Sequence, residues 1–474
     1  MSIDGVNITK TLEKAKKMIA EDKQSSDSLK SMFELLIVII GLLLQRLGVN
    51  SKNSSKPPSQ DPNRKRGSTQ KGKSKRKPGA QKGHKGSTLE LVDNPDETIK
   101  IDIDKRSLPQ GEYTEQQRER RQIVDVIIRK HVTEYQSQVL VNQNTGERFV
   151  ASFPEDVKVP AQYGATVKSM ATYLSQWQLL PYERIAELFN DQAEIPISPG
   201  TLFNINSDAF MRLKEFESIA KQKLIASLVA HADETGINVN GKKIWLHSVS
   251  NELWTLYAPH AKRGKDATDE IGILPFFHGT LIHDCWGLYF QYPCSHALCN
   301  AHLLRELTAV WENDKHQWAQ KAEKLLRNTN ALVLASGGLL DHAQMVKISR
   351  KYDLIMKQGQ KECPVPDPPS KKKRGRQAKT KARNLLERLM DHKDAVLRFA
   401  QDPLVAFTNN RAENDIRMTK VQQKISGCFR SMEGAKIFCR IRSYLSTCRK
   451  HKMSATCALQ LLFEGKMPDF IKES

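Results

Sequence analysis

Residues 224–233 read LIASLVAHAD, an apolar run that ends at the carboxylate of Asp233. A run of this length and composition is typical of a buried strand. A second apolar run, TLIH at residues 280–283, ends in the same way at Asp284. A carboxylate at the end of a buried strand is poorly placed for solubility, so we expect both aspartates to serve chemistry.

The segments between the two aspartates predict a strand order. Residues 243–249 and 253–257 have the pattern of strands, and residues 271–277 have that of a helix. Three antiparallel strands, a helix and a strand beside the first form the layout of a ribonuclease-H-like α/β core. In that layout Asp233 and Asp284 meet, and their like charges are tolerable only with a cation between them.

The charge balance indicates a phosphate-rich partner. The chain has 474 residues, with 74 Lys and Arg against 53 Asp and Glu and a formal net charge of +21. Such an excess favours contacts with DNA or RNA, although a basic ribosomal or membrane-surface protein would share it. At roughly 150 residues per domain, the length predicts two to four domains.

The cysteines and the N-terminus indicate a reducing cytoplasm. All eight cysteines lie from Cys285 onward, without the framework of a secreted disulfide protein. The opening residues lack a basic signal-peptide segment, and the longest apolar stretch, residues 32–44, is too short to span a bilayer. We therefore expect a cytoplasmic protein without a membrane partner.

Heptad spacing predicts a coiled-coil helix within residues 1–50, and with it a homo-oligomer. The alternative is an amphipathic helix that docks on its own domain. The coiled coil is favoured because the segment that follows cannot serve as a docking partner. The heptad positions are Leu29, Phe33, Leu36, Ile40, Leu43 and Leu47.

Residues 51–88 form a basic linker that we expect to be disordered. They are rich in Ser, Pro, Gly, Lys and Arg, and Asp61 is their single acidic residue. The linker is a spacer, an arm that lies along DNA phosphates, or both. Its candidate DNA contacts are Arg64, Lys65, Arg66, Lys75, Arg76 and Lys77.

Two modules separate this linker from the first aspartate. Residues 89–155 alternate in polarity, as at 98–103 and 124–128, which predicts a small strand-rich module. Residues 156–222 have a helical pattern, and a break near Pro196 suggests a helix-turn-helix that binds DNA. Helical hairpins are also common in plain cores, so that alternative stays open.

A third carboxylate occurs in NNRAEN at residues 409–414. Asn409 or Asn410 can cap a helix that carries Glu413. Basic residues then repeat along the same helical face, where they would follow the phosphates of DNA; they are Arg417, Lys420 and Lys424. The alternative is a surface ion-pair ladder, and Glu306 and Glu433 are rival third ligands.

Several blocks together resemble the transposases of the insertion-sequence-66 family, a bacterial DDE transposase group. The blocks are SKNSSKPPS (51–59), KPGAQKGHKG (77–86), HADET (231–235), WLH (245–247), GTLIHDCW (279–286), HALCNAHLLREL (296–307) and NNRAENDIR (409–417). Any one block is weak, whereas the ordered set is specific and spans nearly the whole chain.

The resemblance implies a catalytic and metal-binding triad of Asp233, Asp284 and Glu413 with two Mg²⁺ or Mn²⁺ ions. It implies metal-dependent strand cleavage and strand transfer on double-stranded DNA, at terminal inverted repeats and target DNA, by a nucleoid-associated enzyme. Accessory proteins encoded by the same element are possible partners. The alternatives are an inactive transposase-derived DNA-binding protein and a metal-dependent structure-specific nuclease.

Cys299 and His302 have two interpretations. With His296, and with Cys294 as a fourth ligand, they could share a zinc ion, although the spacing is not that of a standard finger. A Cys-x-x-His pair also resembles one found near the active sites of several DDE transposase groups. We therefore expect Cys299, His302 and Arg305 to be auxiliary active-site residues.

One departure from the family concerns recognition of the element ends. Many relatives carry a cysteine-rich zinc module between the basic arm and the core, whereas residues 1–284 contain no cysteine. The basic arm and the helical region are then the candidate readers of the ends. We expect the core to comprise residues 223–310 and 400–474 around a helical insertion at 311–399, whose basic loop at 371–376 touches DNA.

Overall fold

The computed structural model describes residues 2–3, 6–22, 24–47, 50, 53–54, 89–365 and 379–472. All six candidate DNA contacts of the basic linker, from Arg64 to Lys77, lie outside these ranges, as does the basic loop at 371–376. The N-terminal elements are β1 (Ser2–Ile3), β2 (Val6–Asn7), α1 (Ile8–Glu21) and α2 (Asp27–Leu47). Within the described ranges, no helix has the length and apolarity needed to cross a membrane.

Helix α2 carries the heptad positions. Among the side chains that are described, Leu29, Phe33, Leu36, Ile40 and Leu43 are each about two-fifths to one-half exposed. Ile37, which is not a heptad position, is buried, and α2 packs against α1. The heptad face therefore remains open on a single chain, and its burial against a second chain stays a prediction.

Residues 89–155 contain one short hairpin. Its strands, β3 (Val139–Val141) and β4 (Arg148–Val150), pair antiparallel. The alternating stretches at 98–103 and 124–128 are not strands, and Ile101 and Val126 on them are about 85% exposed. Alternation produces a strand only where a neighbour pairs its backbone and a core covers its apolar face, and neither is present here among the described residues.

Four helices precede the sheet: α3 (Ala165–Thr172), α4 (Tyr182–Ala193), α5 (Pro199–Arg212) and α6 (Lys214–Ile225). The side chain of Ser198 accepts a hydrogen bond from the backbone N–H of Thr201, and Pro199 follows this cap, as helix starts favour. Leu202 and Ile205 of α5 are buried in the core. Binding of DNA by the helical hairpin of α4 and α5 stays a prediction.

The apolar run at residues 224–233 is divided between two elements. Leu224 ends up fully buried on helix α6, and the strand begins only at Val229. The prediction of one strand from Leu224 to Asp233 was therefore wrong at its start, because a buried helix end and a buried strand have the same apolar composition. The strand also continues past Asp233, so the carboxylate lies within it.

The sheet has five strands in the order β7-β6-β5-β8-β9. They are β5 (Val229–Val239), β6 (Lys242–Ser250), β7 (Thr255–His260), β8 (Thr280–His283) and β9 (Ser295–Leu298). Strands β5, β6 and β7 pair antiparallel, whereas β8 and β9 run parallel to β5, and helix α7 (Lys265–Ile271) lies between β7 and β8 in the chain. This mixed sheet with helices confirms the α/β class.

The remaining helices fall into two groups along the chain. The first group, which spans the insertion predicted at 311–399, is α8 (Asn300–Asp314), α9 (Gln317–Ala335), α10 (His342–Glu362), α11 (Lys381–Asp391) and α12 (Lys393–Leu397). They share a hydrophobic cluster that includes Trp318 and Tyr352 and that also reaches Ile282 on β8. The last helices are α13 (Asn410–Ser426), α14 (Met432–Lys450), α15 (Ala455–Phe463) and α16 (Asp469–Lys472).

Two of these late helices pack on the sheet. Helix α13 contacts β5, and α14 contacts β7. The contact with β7 includes a hydrogen bond from the backbone N–H of Tyr257 to the hydroxyl of Ser443, at 2.8 Å. Helix α13 is thereby held beside the strand that carries Asp233.

Candidate active site

The strand register brings Asp233 and Asp284 to the same level of two neighbouring inner strands. In the parallel pair of β5 and β8, His231 lies opposite Ile282. Asp233 and Asp284 each lie two residues beyond that last pair, so both extend past the same point. Asp233 lies within β5 and Asp284 directly follows β8, so the two carboxylates come from the same level of neighbouring parallel strands.

The electrostatics of Asp233 reflect this crowding. Burial raises the pKa of its carboxyl well above the usual range, and the nearby carboxylates of Glu234, Asp284 and Glu413 raise it further. Its Oδ1 accepts a hydrogen bond from the backbone N–H of Glu234 at 2.9 Å. Like-charged carboxylates that share a buried site favour a proton or a cation there.

Glu413 reaches the site from the first turn of α13. Its Oε1 lies 3.6 Å from the Sγ of Cys299 and 3.5 Å from the Nδ1 of His302. Its Oε2 lies 4.0 Å from a guanidinium nitrogen of Arg305. The three predicted auxiliary residues therefore surround the third predicted carboxylate, and burial raises the pKa of the Cys299 thiol to about 11.

Asn409 ties α13 to the strand beside Asp233. Its side chain does not cap the helix, although it occupies the N-cap position. Instead its Nδ2 donates to the carbonyl of Ala232 at 2.9 Å, and its Oδ1 lies 2.8 Å from the Nδ1 of His231. Its backbone N–H contacts the Sγ of Cys299 at 3.2 Å, so one buried residue joins three parts of the site.

The tautomer of His231 follows from this arrangement. Burial lowers the pKa of His231 to about 4, so the ring is neutral at physiological pH. The Asn409 amide nitrogen already donates to a carbonyl, which leaves its oxygen as the acceptor. His231 therefore carries its proton on Nδ1 and donates it to Asn409.

Glu234 serves a separate arrangement on the other side of the strand. Its side chain is only 1% exposed and forms an ion pair with Arg263 at 2.5 Å, while the hydroxyl of Tyr289 donates to its Oε2. The guanidinium of Arg263 lies between two indole rings, 4.7 Å from that of Trp245 and 4.2 Å from that of Trp286. Trp286 thus contacts a cation in the protein, a role that the sequence did not indicate.

One feature of the sequence indicated that Glu234 has a partner of its own. Consecutive residues of a strand point to opposite faces, so Asp233 and Glu234 cannot serve one metal cluster equally. A buried acid on the second face requires its own partner. Which arginine supplies it depends on the fold, because 29 residues separate Glu234 from Arg263.

The predicted basic residues of α13, Arg417, Lys420 and Lys424, are all exposed. The ammonium of Lys420 also donates to the backbone carbonyl of Gly236. Lys420 is thus engaged with strand β5 in this structure. The rival acids lie elsewhere: Glu306 forms an ion pair with Arg388, and Glu433 is exposed in the first turn of α14.

The predicted zinc ligands do not form one set. Within the described ranges, Cys299, His302 and Glu413 form the group of three whose ligand atoms all lie within 4.8 Å of one another. His296 lies on β9, and its Nδ1 is 3.2 Å from the Nε2 of His283. His296 and Cys294 therefore do not complete the site, because they lie on or before β9 whereas His302 lies one turn into helix α8.

The donor set of the two aspartates fits a hard divalent cation. Over residues 89–365 and 379–472, neither Asp233 nor Asp284 forms an ion pair, and both accept backbone N–H groups. Carboxylate oxygens are the protein ligands that Mg²⁺ and Mn²⁺ prefer.

Comparison with known proteins gives two family matches. A model of the family described as Transposase IS66 family matches residues 161–437, more than half of the chain. A family of unknown function (DUF6444) matches residues 8–90, which include α1, α2 and the basic linker. No curated protein matches the chain. The first match contains all three carboxylates of the candidate site, together with Cys299, His302 and Arg305.

Proposed function

This chain belongs to the Transposase IS66 family, and we propose that it is a DDE transposase whose catalytic carboxylates are Asp233, Asp284 and Glu413. A transposase cuts and transfers DNA, so DNA is its substrate. Beyond the family membership, we propose that these three residues bind divalent metal ions and that cleavage occurs at terminal inverted repeats. The proposal rests chiefly on one observation: the register of β5 and β8 places Asp233 and Asp284 at the same level of neighbouring strands, and α13, which carries Glu413, packs against β5.

The fold supports this assignment. The strand order β7-β6-β5-β8-β9, with its first three strands antiparallel and its last two parallel to β5, is the order expected of a ribonuclease-H-like core. In such a core the first and fourth strands lie side by side and run parallel. Here these strands are β5 and β8, which precede or carry the two aspartates.

The carboxylates would hold Mg²⁺ or Mn²⁺, which supply activation of an attacking hydroxyl and stabilisation of the leaving oxygen. Asp233 and Asp284 are fixed by the sheet, and Glu413 is fixed by α13. Asn409 sets the position of that helix against β5 through its hydrogen bonds to Ala232 and His231. The attacking group is water or a DNA 3′ hydroxyl, so no side chain of the enzyme needs to become covalently attached.

The charged surface offers contacts for the DNA backbone. Arg417 and Lys424 are exposed along α13, on the helix that carries Glu413. We propose that they bind phosphates near the scissile bond, and that the basic linker binds flanking DNA. Contacts of this kind position DNA without reading its sequence.

The test is strand cleavage by the full chain on DNA that carries the element ends. With Mg²⁺ or Mn²⁺, we expect nicking by the wild type and a loss of about a hundredfold or more for Asp233→Asn, Asp284→Asn and Glu413→Gln, because each removes charge from the metal site with little change of shape. DNA binding in a gel shift should persist.

Glu433→Gln is the matched control, because Glu433 also lies in the first turn of a helix but is exposed away from the aspartates. We expect it to cleave like the wild type. Wild-type cleavage by any one of the three triad variants would show that the residue concerned is misassigned.

A further inference from the structure

Three side chains of different chemistry converge at the start of α8. The ligand atoms of Cys299, His302 and Glu413 all lie within 4.8 Å of one another. A set of sulfur, nitrogen and oxygen donors differs from the all-oxygen set of Asp233 and Asp284. Thiolate and imidazole ligands suit zinc, whereas Mg²⁺ takes oxygen ligands and waters.

Two of the three distances between the donor atoms match those of a tetrahedral zinc site. Bonds of about 2.3 Å to sulfur and about 2.1 Å to oxygen, at the tetrahedral angle, place those two atoms about 3.6 Å apart. The Sγ of Cys299 and the Oε1 of Glu413 are 3.6 Å apart. The same geometry places nitrogen about 3.4 Å from oxygen, and the Nδ1 of His302 lies 3.5 Å from that Oε1.

Cys299 and His302 both lie at the start of α8. Cys299 occupies the N-cap position of α8 and is buried, and its Sγ accepts the backbone N–H of Asn409. His302 follows three residues later, on the same side of the helix. Its Nδ1 is buried and forms no hydrogen bond with any residue that the structure describes. Its contact with the Oε1 of Glu413 is long, at 3.5 Å, and a buried nitrogen so weakly bonded favours a ligand that satisfies it.

We propose that Cys299, His302 and Glu413 form a second metal site, which binds Zn²⁺ or another thiophilic divalent ion and thereby holds the enzyme inactive. The thiol proton of Cys299 is released to solvent as the metal–sulfur bond forms, and water completes the coordination. Inactivation rests on the proposed function: an Oε1 bound to zinc is withdrawn from the Mg²⁺ site that Glu413 shares with the aspartates.

Binding is tested with Co²⁺, which substitutes for Zn²⁺ and absorbs visible and near-ultraviolet light when it is bound to thiolate in a tetrahedral site. The full chain should develop both thiolate-to-cobalt and tetrahedral bands at one equivalent, and Zn²⁺ should abolish them. Cys299→Ser should lose the thiolate band. His302→Gln, which leaves the buried cysteine untouched, should weaken Co²⁺ binding at least tenfold.

Cys457→Ser is the matched control, because Cys457 is exposed and distant in the chain from the cluster. It should give the wild-type spectrum. The metal site is contradicted if the wild type shows only the weak bands of octahedral Co²⁺, or if Cys299→Ser keeps the thiolate band. Neither result depends on catalysis, so neither bears on the proposed transposase chemistry.

The inhibitory role is tested on Mg²⁺-dependent cleavage, with each protein normalised to its own rate without zinc. Zinc should inhibit the wild type, and His302→Gln should need at least tenfold more zinc for half-inhibition. If the wild type binds cobalt but zinc does not inhibit its cleavage, the inhibitory role is contradicted and the metal site is still supported. An absence of cleavage under all conditions would contradict the proposed function, while the cobalt spectrum would still decide the metal site.

Discussion

At the scale of single residues, the buried carboxyl of Asp233 makes the stability of the metal-free protein depend on pH. Burial raises the pKa of Asp233, and the nearby carboxylates of Glu234, Asp284 and Glu413 add to that effect. A carboxyl whose pKa is raised by folding binds a proton more tightly when folded than when unfolded. Stability is therefore lost as pH rises from the unfolded value of about 3.9 through the raised folded value, and it stays lower above that range.

Asp233→Asn should therefore raise the melting temperature of the metal-free protein at pH 8, because the amide removes the buried charge. The difference from the wild type should shrink as pH falls toward about 4, where the wild-type carboxyl also becomes neutral in the unfolded state. Mg²⁺ should stabilise the wild type and have less effect on the variant, as differential scanning fluorimetry would measure. The exposed Asp391 supplies a control, Asp391→Asn, without either effect. A lower melting temperature for Asp233→Asn at pH 8 would contradict the account.

At the scale of elements, the position of Asp284 depends on how closely β8 approaches the chain before β5. The backbone N–H of Thr280 donates to the carbonyl of Leu228 at 2.8 Å. A Cβ on Gly279 would lie 2.5 Å from the carbonyl oxygens of Leu228 and Ser227. Only glycine allows this approach, because backbone atoms cannot move aside as a flexible side chain can.

Gly279→Ala should therefore destabilise the protein by about 1–3 kcal/mol, since the added methyl group overpacks against backbone. It should also slow cleavage by up to about a hundredfold, because a displaced β8 misplaces Asp284. Urea unfolding and nicking rates measure the two effects. Gly287→Ala is the matched control, since a Cβ there meets no atom within 4 Å. If the two variants behave alike, the close approach at Gly279 does not position Asp284.

Helix α2 carries a second prediction at this scale. Replacing Leu36 and Ile40 with Asp should dissociate a coiled-coil dimer, because charges in the apolar contact cost several kcal/mol, roughly 2 or more each. Light scattering should show a smaller species, and a gel shift should show binding of one DNA end without pairing of two. Ser31→Asp with Val38→Asp is the control on the opposite, exposed face. If the seam variant still pairs two ends, the heptad face serves another contact.

At the scale of the whole molecule, the sequence predicted what depends on local pattern. Apolar runs were enough for the strand order between Asp233 and Asp284. Family resemblance associated Cys299, His302 and Arg305 with the site, and they do lie near Glu413, but a role in catalysis stays a prediction. The start of β5 was misplaced, because apolar composition does not distinguish the end of α6 from a strand. The pairing of Glu234 with Arg263 was not predictable, because it depends on how distant segments pack.

Asn409 illustrates the same limit. Its type and position predicted a helix cap, and it does occupy the N-cap position. Its side chain instead bonds to His231 and Ala232, which precede it by more than 170 residues. A local rule cannot predict a partner so distant in the chain. The catalytic assignment of the three carboxylates is a proposal, and it is supported by the register of β5 and β8 and by the packing of α13 on β5.

The most direct test of that proposal is a change of metal specificity at Asp284. Asp284→Cys replaces a carboxylate with a thiolate, a ligand that Mg²⁺ accepts poorly and that the softer Mn²⁺ accepts better. If Asp284 binds a catalytic ion, the variant should lose cleavage in Mg²⁺ by about a hundredfold or more and should recover part of it in Mn²⁺, while Asp284→Ala stays inactive in both. Equal activity of Asp284→Cys in the two metals, or a wild-type rate for Asp284→Ala, would contradict the account.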